Sequence, residues 1–235
     1  MSKADARTSS ERALAFIRDG SVVGLGTGHA ASSFLRDLGA HVRSGLRIRG
    51  VATSETSASL AREVGIDLVG LDQVEAIDVT VDGADEVDPE LDLIKGYGGA
   101  LLREKIVAAA SREVVILVGP EKLVPRLGTR GRLPVEVVPF GRSFAARRLA
   151  ELGIPATVRL QEGRPMITDN GNQILDCTVG PLPDPAGLDR EIQRIPGVVT
   201  TGLFLGMARV VVVGKEGGVQ VLERPHPNPE KPRLA

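Results

Sequence analysis

Residues 21–42 read SVVGLGTGHAASSFLRDLGAHV, and this stretch joins a short apolar strand to an amphipathic helix through a glycine-rich turn. The apolar run at 22–25 has the length of a buried strand, and residues 30–42 place apolar side chains at helical spacing. A strand that passes at once into a helix is typical of a β-α-β unit, which indicates a parallel sheet.

The same alternation of strand and helix continues through about residue 120. The helical patterns SASLAREVG and ALLREKIVAAAS separate the strand patterns LRIRGVATS, AIDVTVDGAD, LDLIKGYGG and EVVILVG. This order predicts an α/β fold with a Rossmann-like, doubly wound parallel sheet covered on both faces. A further helix is expected at 10–19, with Ser9 or Ser10 as its cap.

The pattern changes after about residue 129, which indicates a second domain. The segments LPVEVVPF, RSFAARRLAELG, ATVRL, MITDNGNQILDCTV, LDREIQRI and GVVTTGLF follow the order β-α-β-β-α-β of a split-βαβ, ferredoxin-like α+β fold. The apolar run ARVVVVG then returns to the large sheet. We therefore predict a Rossmann-like catalytic domain at 1–129 plus 205–223, a small α+β domain at 130–204, and a mobile proline-rich tail at 224–235.

The composition narrows the class of function. The chain has 235 residues, a net charge of −1 and 3% aromatic residues, so neither a basic field nor a stacking surface favours nucleic acid. No apolar run reaches membrane-spanning or signal-peptide length. Cys177 is the single cysteine and is predicted to be a small buried residue of a strand. A cytoplasmic protein with a polar small-molecule ligand is expected.

Three polar or glycine-rich segments follow predicted strands of the large sheet. They are GLGTGHA at 24–30, TVDGADEVD at 80–88 and KGYGGA at 95–100. In open α/β sheets, ligands bind outside the carboxyl ends of the strands. The three segments therefore predict one binding site at that edge.

The first segment favours an anion. Glycines allow backbone N–H groups to approach a phosphate, and a helix N-terminus favours negative charge. A tight strand-to-helix turn without a ligand is the competing interpretation. A dinucleotide fingerprint fits poorly, because His29 stands where Gly or Ala is expected after Gly24 and Gly26, although Glu55 could serve as the ribose-binding acid.

The other two segments carry titratable side chains. Asp82 and Asp85 are separated by small residues, so they could bind sugar hydroxyls, relay protons or hold Mg²⁺, and a solvated turn is the plain alternative. Lys95 ends a strand, where an ammonium can stabilise an oxyanion. Glu104 lies in the following helix, and it is either a functional carboxylate or a surface residue of a good helix former.

Taken together, the motifs resemble those of the A-type ribose-5-phosphate isomerases, and the resemblance covers nearly the whole chain. The family's pattern runs GxGTGST, TSE, DGADE, KGGGGALLREK, PVEV, DNGN and PGVV. This chain has GLGTGHA, TSE at 53–55, DGADE at 82–86, KGYGGALLREK at 95–105, PVEVVPF at 134–140, TDNGN at 168–172 and IPGVVTTGLF at 195–204. The resemblance implies reversible conversion of D-ribose 5-phosphate to D-ribulose 5-phosphate in the pentose phosphate pathway. It also implies no metal or organic cofactor, and a homodimer or homotetramer.

The resemblance also implies which residues form the site. Glu104 would be the base of an enediolate mechanism, with Lys95, Asp82 and Asp85 as its catalytic partners. The substrate-contacting residues would be Thr27, Gly28, His29, Ala30, Asp82, Gly83, Ala84, Asp85, Lys95, Gly96, Tyr97, Gly98 and Lys122.

Two departures from the family's pattern bear on the substrate. His29 and Ala30 replace Ser-Thr, which removes two hydroxyl donors and is expected to affect phosphate affinity. Tyr97 interrupts the glycine run and is expected to narrow the site or cover the sugar.

Two other functions remain open from the sequence. An NAD-dependent dehydrogenase would use GLGTGHA to bind a nicotinamide cofactor. A non-catalytic sugar-phosphate sensor would need a partner module, for which the length and charge of the chain leave little room.

Overall fold

The computed structural model describes residues 8–224. The predicted tail at 224–235 lies outside this range apart from its first residue. Within the described range, no helix is long and apolar enough to cross a membrane.

A seven-stranded sheet forms the larger part of the molecule. From one edge to the other its strands are β3 (Asp67–Leu68), β2 (Arg49–Ala52), β1 (Val22–Leu25), β4 (Ile77–Gly83), β7 (Ser111–Val118), β15 (Val210–Lys215) and β16 (Gly218–Glu223). All neighbours are parallel except β15 and β16. This arrangement confirms the predicted Rossmann-like sheet and the return of the last apolar run to it.

Helices cover both faces of this sheet because its central strands are apolar on both sides. Helices α1 (Ser9–Leu14), α2 (His29–Arg43) and α3 (Glu55–Glu63) share one apolar cluster with Val115 and Leu117 of β7. Helix α4 (Leu101–Ala109) packs with Val114 and Ile116 of the same strand. Since successive strand residues point to opposite faces, α4 lies on the face opposite to the other three helices.

Helix α1 is shorter than predicted and begins at a different cap. The expected helix at 10–19 ends at Leu14, and Thr8 is the N-cap instead of Ser9 or Ser10. Thr8 Oγ1 accepts from Glu11 N at 3.1 Å, and Glu11 Oε2 accepts from Thr8 N at 2.9 Å. This reciprocal capping box needs a hydroxyl three residues before the glutamate, and only Thr8 has that spacing.

The small domain is built on a four-stranded antiparallel sheet with the order β13, β8, β12, β9. Its elements along the chain are β8 (Arg132–Val137), α5 (Arg142–Glu151), β9 (Ala156–Val158), the hairpin β10 (Leu160–Gln161) and β11 (Arg164–Pro165), β12 (Gln173–Thr178), α6 (Pro185–Gln193) and β13 (Val198–Thr201). The predicted β-α-β-β-α-β order is confirmed. Cys177 lies buried in β12, as expected.

A third sheet joins the two larger ones and was not predicted. It consists of β14 (Leu203–Phe204), β6 (Leu93–Ile94) and β5 (Glu86–Val87), all antiparallel. The strand before Lys95 was expected to be parallel like its neighbours in the chain, and this expectation is wrong. The chain reverses after β4, so that β5 and β6 form a hairpin that leaves the large sheet.

The division of the chain at residues 129, 204 and 223 stays a prediction. One apolar cluster joins Ile94 and Leu127 to Leu133 and Val135 of β8. A second cluster places Ile174 of β12 beside residues of the large sheet. The two parts of the molecule therefore share apolar contacts.

Candidate active site

A cavity of about 280 Å³ opens at the carboxyl ends of β1, β4 and β7, beside the loop that leads into α4. All the residues predicted for the site line this cavity except Asp82 and Tyr97. The lining residues that were predicted are Thr27, Gly28, His29, Ala30, Gly83, Ala84, Asp85, Lys95, Gly96, Gly98, Glu104 and Lys122.

The GLGTGHA turn is held by its neighbours in a fixed shape. A Cβ atom on Gly26 would lie 2.6 Å from Asp82 Cα, so only glycine lets β1 pass β4 this closely. Thr27 N donates to Asp82 Oδ1 at 3.1 Å, and Thr27 Oγ1 donates to Ser54 Oγ at 2.7 Å. Gly28, with φ of 101°, is the N-cap of α2. The turn therefore brings the N-terminus of α2 to the cavity.

Asp82 is buried behind the cavity wall, and its carboxylate is bound by protein groups. Oδ1 accepts from Thr27 N and from Gly83 N, the latter at 2.7 Å. Oδ2 lies 3.0 Å from Lys95 Nζ. These contacts suit a carboxylate that orients the lysine and the turn.

Lys95 is a buried cation between two carboxylates. Its Nζ donates to Gly83 O at 2.6 Å and lies 3.4 Å from Glu104 Oε2. Burial alone would lower the pKa of Lys95, but the charges of Asp82 and Glu104 outweigh burial, and the net direction is upward. Lys95 is therefore positively charged throughout the neutral range.

Glu104 lies on the first turn of α4 and is 5% exposed. The alternative interpretation of Glu104 as a surface residue of the helix is therefore wrong. Within residues 8–224 its Oε2 accepts no hydrogen bond. Burial raises the pKa of Glu104 to about 8, opposed by the charge of Lys95 and assisted by Asp82 and Asp85. A carboxyl group with these properties can both take up and release a proton near neutral pH.

The loop between Lys95 and α4 uses its glycines in two ways. Gly96 and Gly99 have φ values of 107° and 90°, in the left-handed region where side chains are strained. Gly98 lines the cavity, and a Cβ atom added there would meet nothing within 4 Å. The backbone conformation therefore requires glycine at 96 and 99. At 98 the backbone does not require glycine, and the absence of a side chain leaves space open beside the cavity.

The Tyr97 side chain leaves the cavity for the small domain. Its hydroxyl donates to Arg132 O at 3.1 Å, and the Arg132 guanidinium lies 3.8 Å from the centre of its ring. The expectation that Tyr97 narrows the site or covers the sugar does not fit this placement. Its backbone N donates to Asp85 Oδ2 at 2.9 Å, so the residue contacts the site through its main chain.

The DGADE segment also supports the loop that carries Lys122. Glu86 is fully buried, and its carboxylate accepts from Gly128 N at 2.6 Å and from Arg130 N at 2.8 Å. Val124 N donates to Val87 O at 2.9 Å. These bonds fix the segment that follows Lys122. Lys122 itself is half-buried and lines the cavity.

Sequence reasoning missed four lining residues at the end of β7 and directly after it, namely Leu117, Val118, Gly119 and Glu121. The signal was present, because EVVILVG is a predicted strand and its carboxyl end belongs to the same edge of the sheet.

Glu55, considered as a ribose-binding acid, does not line this cavity. Its Oε1 lies 2.8 Å from Arg103 Nη1 on α4. Across residues 8–224, no group of three His, Cys, Asp or Glu side chains has the arrangement of a metal site.

Comparisons with known proteins agree with the motifs. The sequence model of the ribose 5-phosphate isomerase A (phosphoriboisomerase A) family matches residues 49–218. Ribose-5-phosphate isomerase A of Gloeobacter violaceus is 52% identical over 217 residues, which cover 92% of this chain and 94% of the relative. The protein of the same name from Thermomicrobium roseum is 51% identical over 214 residues, 90% of each chain.

Solved structures give the same result. Ribose 5-phosphate isomerase A of Methanocaldococcus jannaschii superposes with a TM-score of 0.87 at 42% identity, covering 91% of this chain and 96% of that one. A D-ribose-5-phosphate isomerase in complex with phospho-erythronic acid superposes with a TM-score of 0.89 at 42% identity, covering 92% and 96%.

Proposed function

Since the chain belongs to the ribose 5-phosphate isomerase A family and is an aldose–ketose isomerase of D-ribose 5-phosphate and D-ribulose 5-phosphate, we propose that Glu104 is the base of this reaction. The observation that carries the proposal is the buried Glu104 carboxylate, which faces the cavity 3.4 Å from a buried ammonium. Family membership decides against the nicotinamide dehydrogenase and the non-catalytic sensor.

The proposed reaction moves one proton between two adjacent carbons. Glu104 takes the proton from C2 of the open-chain aldose, which gives an enediolate, and returns it to C1. The hydroxyl proton on O2 passes to O1 in the same conversion, which completes the ketose. The proton stays on one carboxyl group between the two steps. The raised pKa of Glu104 suits this exchange, because a carboxyl group that titrates near neutral pH can both accept a proton and give it back.

Lys95 supplies the positive charge that the enediolate needs. The developing oxyanion carries negative charge, and a buried, already oriented ammonium stabilises that charge without reorganisation. Asp82 holds Lys95 in place through its 3.0 Å ion pair. Asp85 lines the cavity, and we assign to it the binding of the sugar hydroxyls and assistance in opening the furanose ring.

We assign the phosphate to the part of the cavity that the 28–30 segment lines. Backbone N–H groups of the 28–30 segment lie at the N-terminus of α2, which favours an anion. Lys122 adds a positive charge to the lining of the same cavity. His29 and Ala30 bring no hydroxyl, so the main chain and Lys122 account for phosphate binding in this proposal. The phosphorylated acid bound by the related isomerase is an anion of the same kind.

The test compares Glu104→Gln with the unaltered protein, using ribose 5-phosphate in the presence of a chelator. We expect the variant to lose at least about 10³-fold in kcat because the base is absent, while substrate binding is retained. Glu63→Gln is the matched control, since Glu63 is exposed on α3. A near-normal rate for Glu104→Gln would refute the assignment of the base, and loss of the unaltered protein's activity on chelation would refute the cofactor-free reaction.

We also propose that the protein is cytoplasmic and assembles as a homodimer or homotetramer. Large apolar side chains exposed on the small domain support assembly, among them Phe140 and Phe144. The single cysteine fits a reducing compartment. Sedimentation at several concentrations tests the assembly, and a monomer throughout would contradict it.

A further inference from the structure

We propose that Arg159, a residue of the small domain, positions Asp85 for the isomerisation by holding the peptide group between Gly96 and Tyr97. Arg159 follows β9 and does not line the cavity. It acts as a positioning residue, because its contacts are with the loop that contacts Asp85. This inference rests on the proposed role of Asp85.

The guanidinium of Arg159 joins the small domain to the 96–98 loop. Its Nη1 donates to Gly96 O at 2.7 Å and to Tyr97 O at 3.0 Å. Its other edge forms a two-point pair with Asp176, from Nε to Oδ2 at 2.9 Å and from Nη2 to Oδ1 at 2.5 Å. The Arg159 side chain is 10% exposed, so these bonds form away from solvent.

The geometry of the peptide group transmits this hold to Asp85. The described chain contains no cis peptide bonds, so the C=O and N–H of each peptide group point in opposite directions. In the first group, Gly96 O faces Arg159, and Tyr97 N donates to Asp85 Oδ2 at 2.9 Å. A cation on the carbonyl also strengthens the N–H as a donor. One peptide group thus connects Arg159 to the Asp85 carboxylate.

The next peptide group is fixed in the same way. Tyr97 O faces Arg159, so the N–H of Gly98 points away from the arginine. Gly98 lines the cavity, and within residues 8–224 no protein group accepts from its N–H. The same guanidinium therefore sets the direction of a second main-chain group beside the substrate.

The anchor of Arg159 is rigid. Arg159 N donates to Ile174 O at 2.8 Å, and Arg159 O accepts from Met166 N at 2.9 Å. Asp176 lies on β12 at the centre of the small sheet, and Arg132 Nε lies 3.7 Å from its Oδ1. Tyr97 packs under Arg132, so both arginines that contact Asp176 also contact the loop.

A purely structural ion pair is the competing explanation, and kinetics separate the two. Arg159→Met removes the guanidinium and keeps much of the side-chain volume. We expect kcat/KM to fall on the order of 10²-fold, since a small displacement of a catalytic group has effects of this size. Arg159→Lys should recover only part of the loss, because one ammonium cannot hold two carbonyls and a carboxylate together. Arg164→Met, at an exposed arginine of the same domain, is the matched control.

Arg159→Met removes the nearer partner of Asp176 and leaves only Arg132 at 3.7 Å, and the loss of this ion pair could unfold the protein. The double variant Arg159→Met/Asp176→Leu replaces both charges of the pair with apolar side chains. Arg132, the second partner of Asp176, has a side chain that is 40% exposed and keeps access to solvent. We expect this variant to unfold at a temperature close to that of the unaltered protein and still to lose activity. Full activity in a folded variant of either kind would overturn the proposal.

A double-mutant cycle with Asp85→Asn gives the decisive test. If Arg159 acts through Asp85, the loss caused by Arg159→Met should shrink at least several-fold when Asp85 is already replaced. An unchanged loss would overturn the proposal. Asp85→Asn alone reports separately on the proposed role of Asp85, so a normal rate for that variant refutes that role and, with it, this inference.

Discussion

In the proposed mechanism, Glu104 owes its reactivity to burial beside a cation. A carboxylate in water would be a weak base towards a sugar C–H bond, and a carboxylate with a full set of hydrogen bonds would be weaker still. In this site, burial makes the ionised form less stable, and Lys95 keeps the penalty small enough for ionisation near neutral pH. The Glu104–Lys95 pair thus combines a strongly basic carboxylate with a useful fraction of the ionised form near neutral pH.

This balance predicts the pH dependence of the reaction. Only ionised Glu104 can accept the proton, and the pKa of Glu104 is raised to about 8. We expect kcat/KM to rise with pH and to level off above about pH 8, with a value at pH 6 lower by about 100-fold. The substrate phosphate titrates near pH 6, so a limb near pH 8 belongs to the enzyme. Initial rates from pH 5.5 to 9.5 measure it, and a flat profile from pH 6 to 9 would contradict this assignment.

The same pKa predicts an effect on stability. At pH values between about 4.5 and 8, folded Glu104 holds a proton that the unfolded chain has released, so its contribution to stability falls as pH rises. Glu104→Gln removes this titration. We expect the variant to unfold at a higher temperature than the unaltered protein at pH 8, with the difference vanishing near pH 4. A variant that is less stable at pH 8 would contradict this sign.

At the residue scale, sequence predicted what motifs encode and missed what tertiary contacts decide. Glu104 and Lys95 were predicted as catalytic residues of one site, and the structure places Lys95 Nζ 3.4 Å from Glu104 Oε2. The direction of the Tyr97 side chain was not predictable, since it depends on Arg132, which is distant in the chain. Arg159 carried no motif at all, and its importance comes from two main-chain carbonyls of another segment.

At the scale of elements, the loop from Lys95 to α4 separates two uses of glycine that sequence cannot distinguish. Gly99 has φ of 90°, and a Cβ atom there would lie 2.3 Å from Met166 Cε. Gly98 has ordinary space around it. One glycine is needed for the shape of the loop, and the other leaves the cavity wall open.

We therefore expect different effects from two alanine substitutions. Gly99→Ala should lower the free energy of unfolding by about 1–3 kcal/mol, because alanine is strained in the left-handed region. Gly98→Ala should leave unfolding almost unchanged and raise KM, because its methyl group enters the cavity. Denaturant titration and initial rates on the two variants measure these effects. Equal losses of stability would contradict the distinction.

The elements themselves were largely predictable, because their hydrophobic periods are clear. The parallel sheet and the β-α-β-β-α-β order of the small domain follow from those periods and from the alternation of strands and helices along the chain. The pairing of β5, β6 and β14 did not follow, because strands of two residues have no period. Their partners are set by the reversal of the chain after β4.

At the scale of the whole molecule, the proposed catalytic residues lie in the predicted Rossmann-like domain but are held in part by the small domain. The loop after Lys95 is held by Arg159, and Lys95 N itself donates to Gly202 O at 2.9 Å. The apolar clusters cross the same boundary, with Ile94 packed among residues of β8 and Ile174 beside the large sheet. Residues of both predicted domains therefore hold the loop and the strands that carry the candidate site.

This sharing predicts that the two predicted domains unfold together. If the small domain unfolds, the apolar residues that it shares with the large domain become exposed to water. The folded state of each domain therefore stabilises the folded state of the other. We expect a single calorimetric transition whose midpoint coincides with the loss of activity. Ile94→Ala, at the shared cluster, should lower that midpoint without splitting the transition, with a loss of about 2–5 kcal/mol for a fully buried side chain. The exposed Leu160→Ala is the control. Two resolved transitions in the unaltered protein would show that the domains are independent.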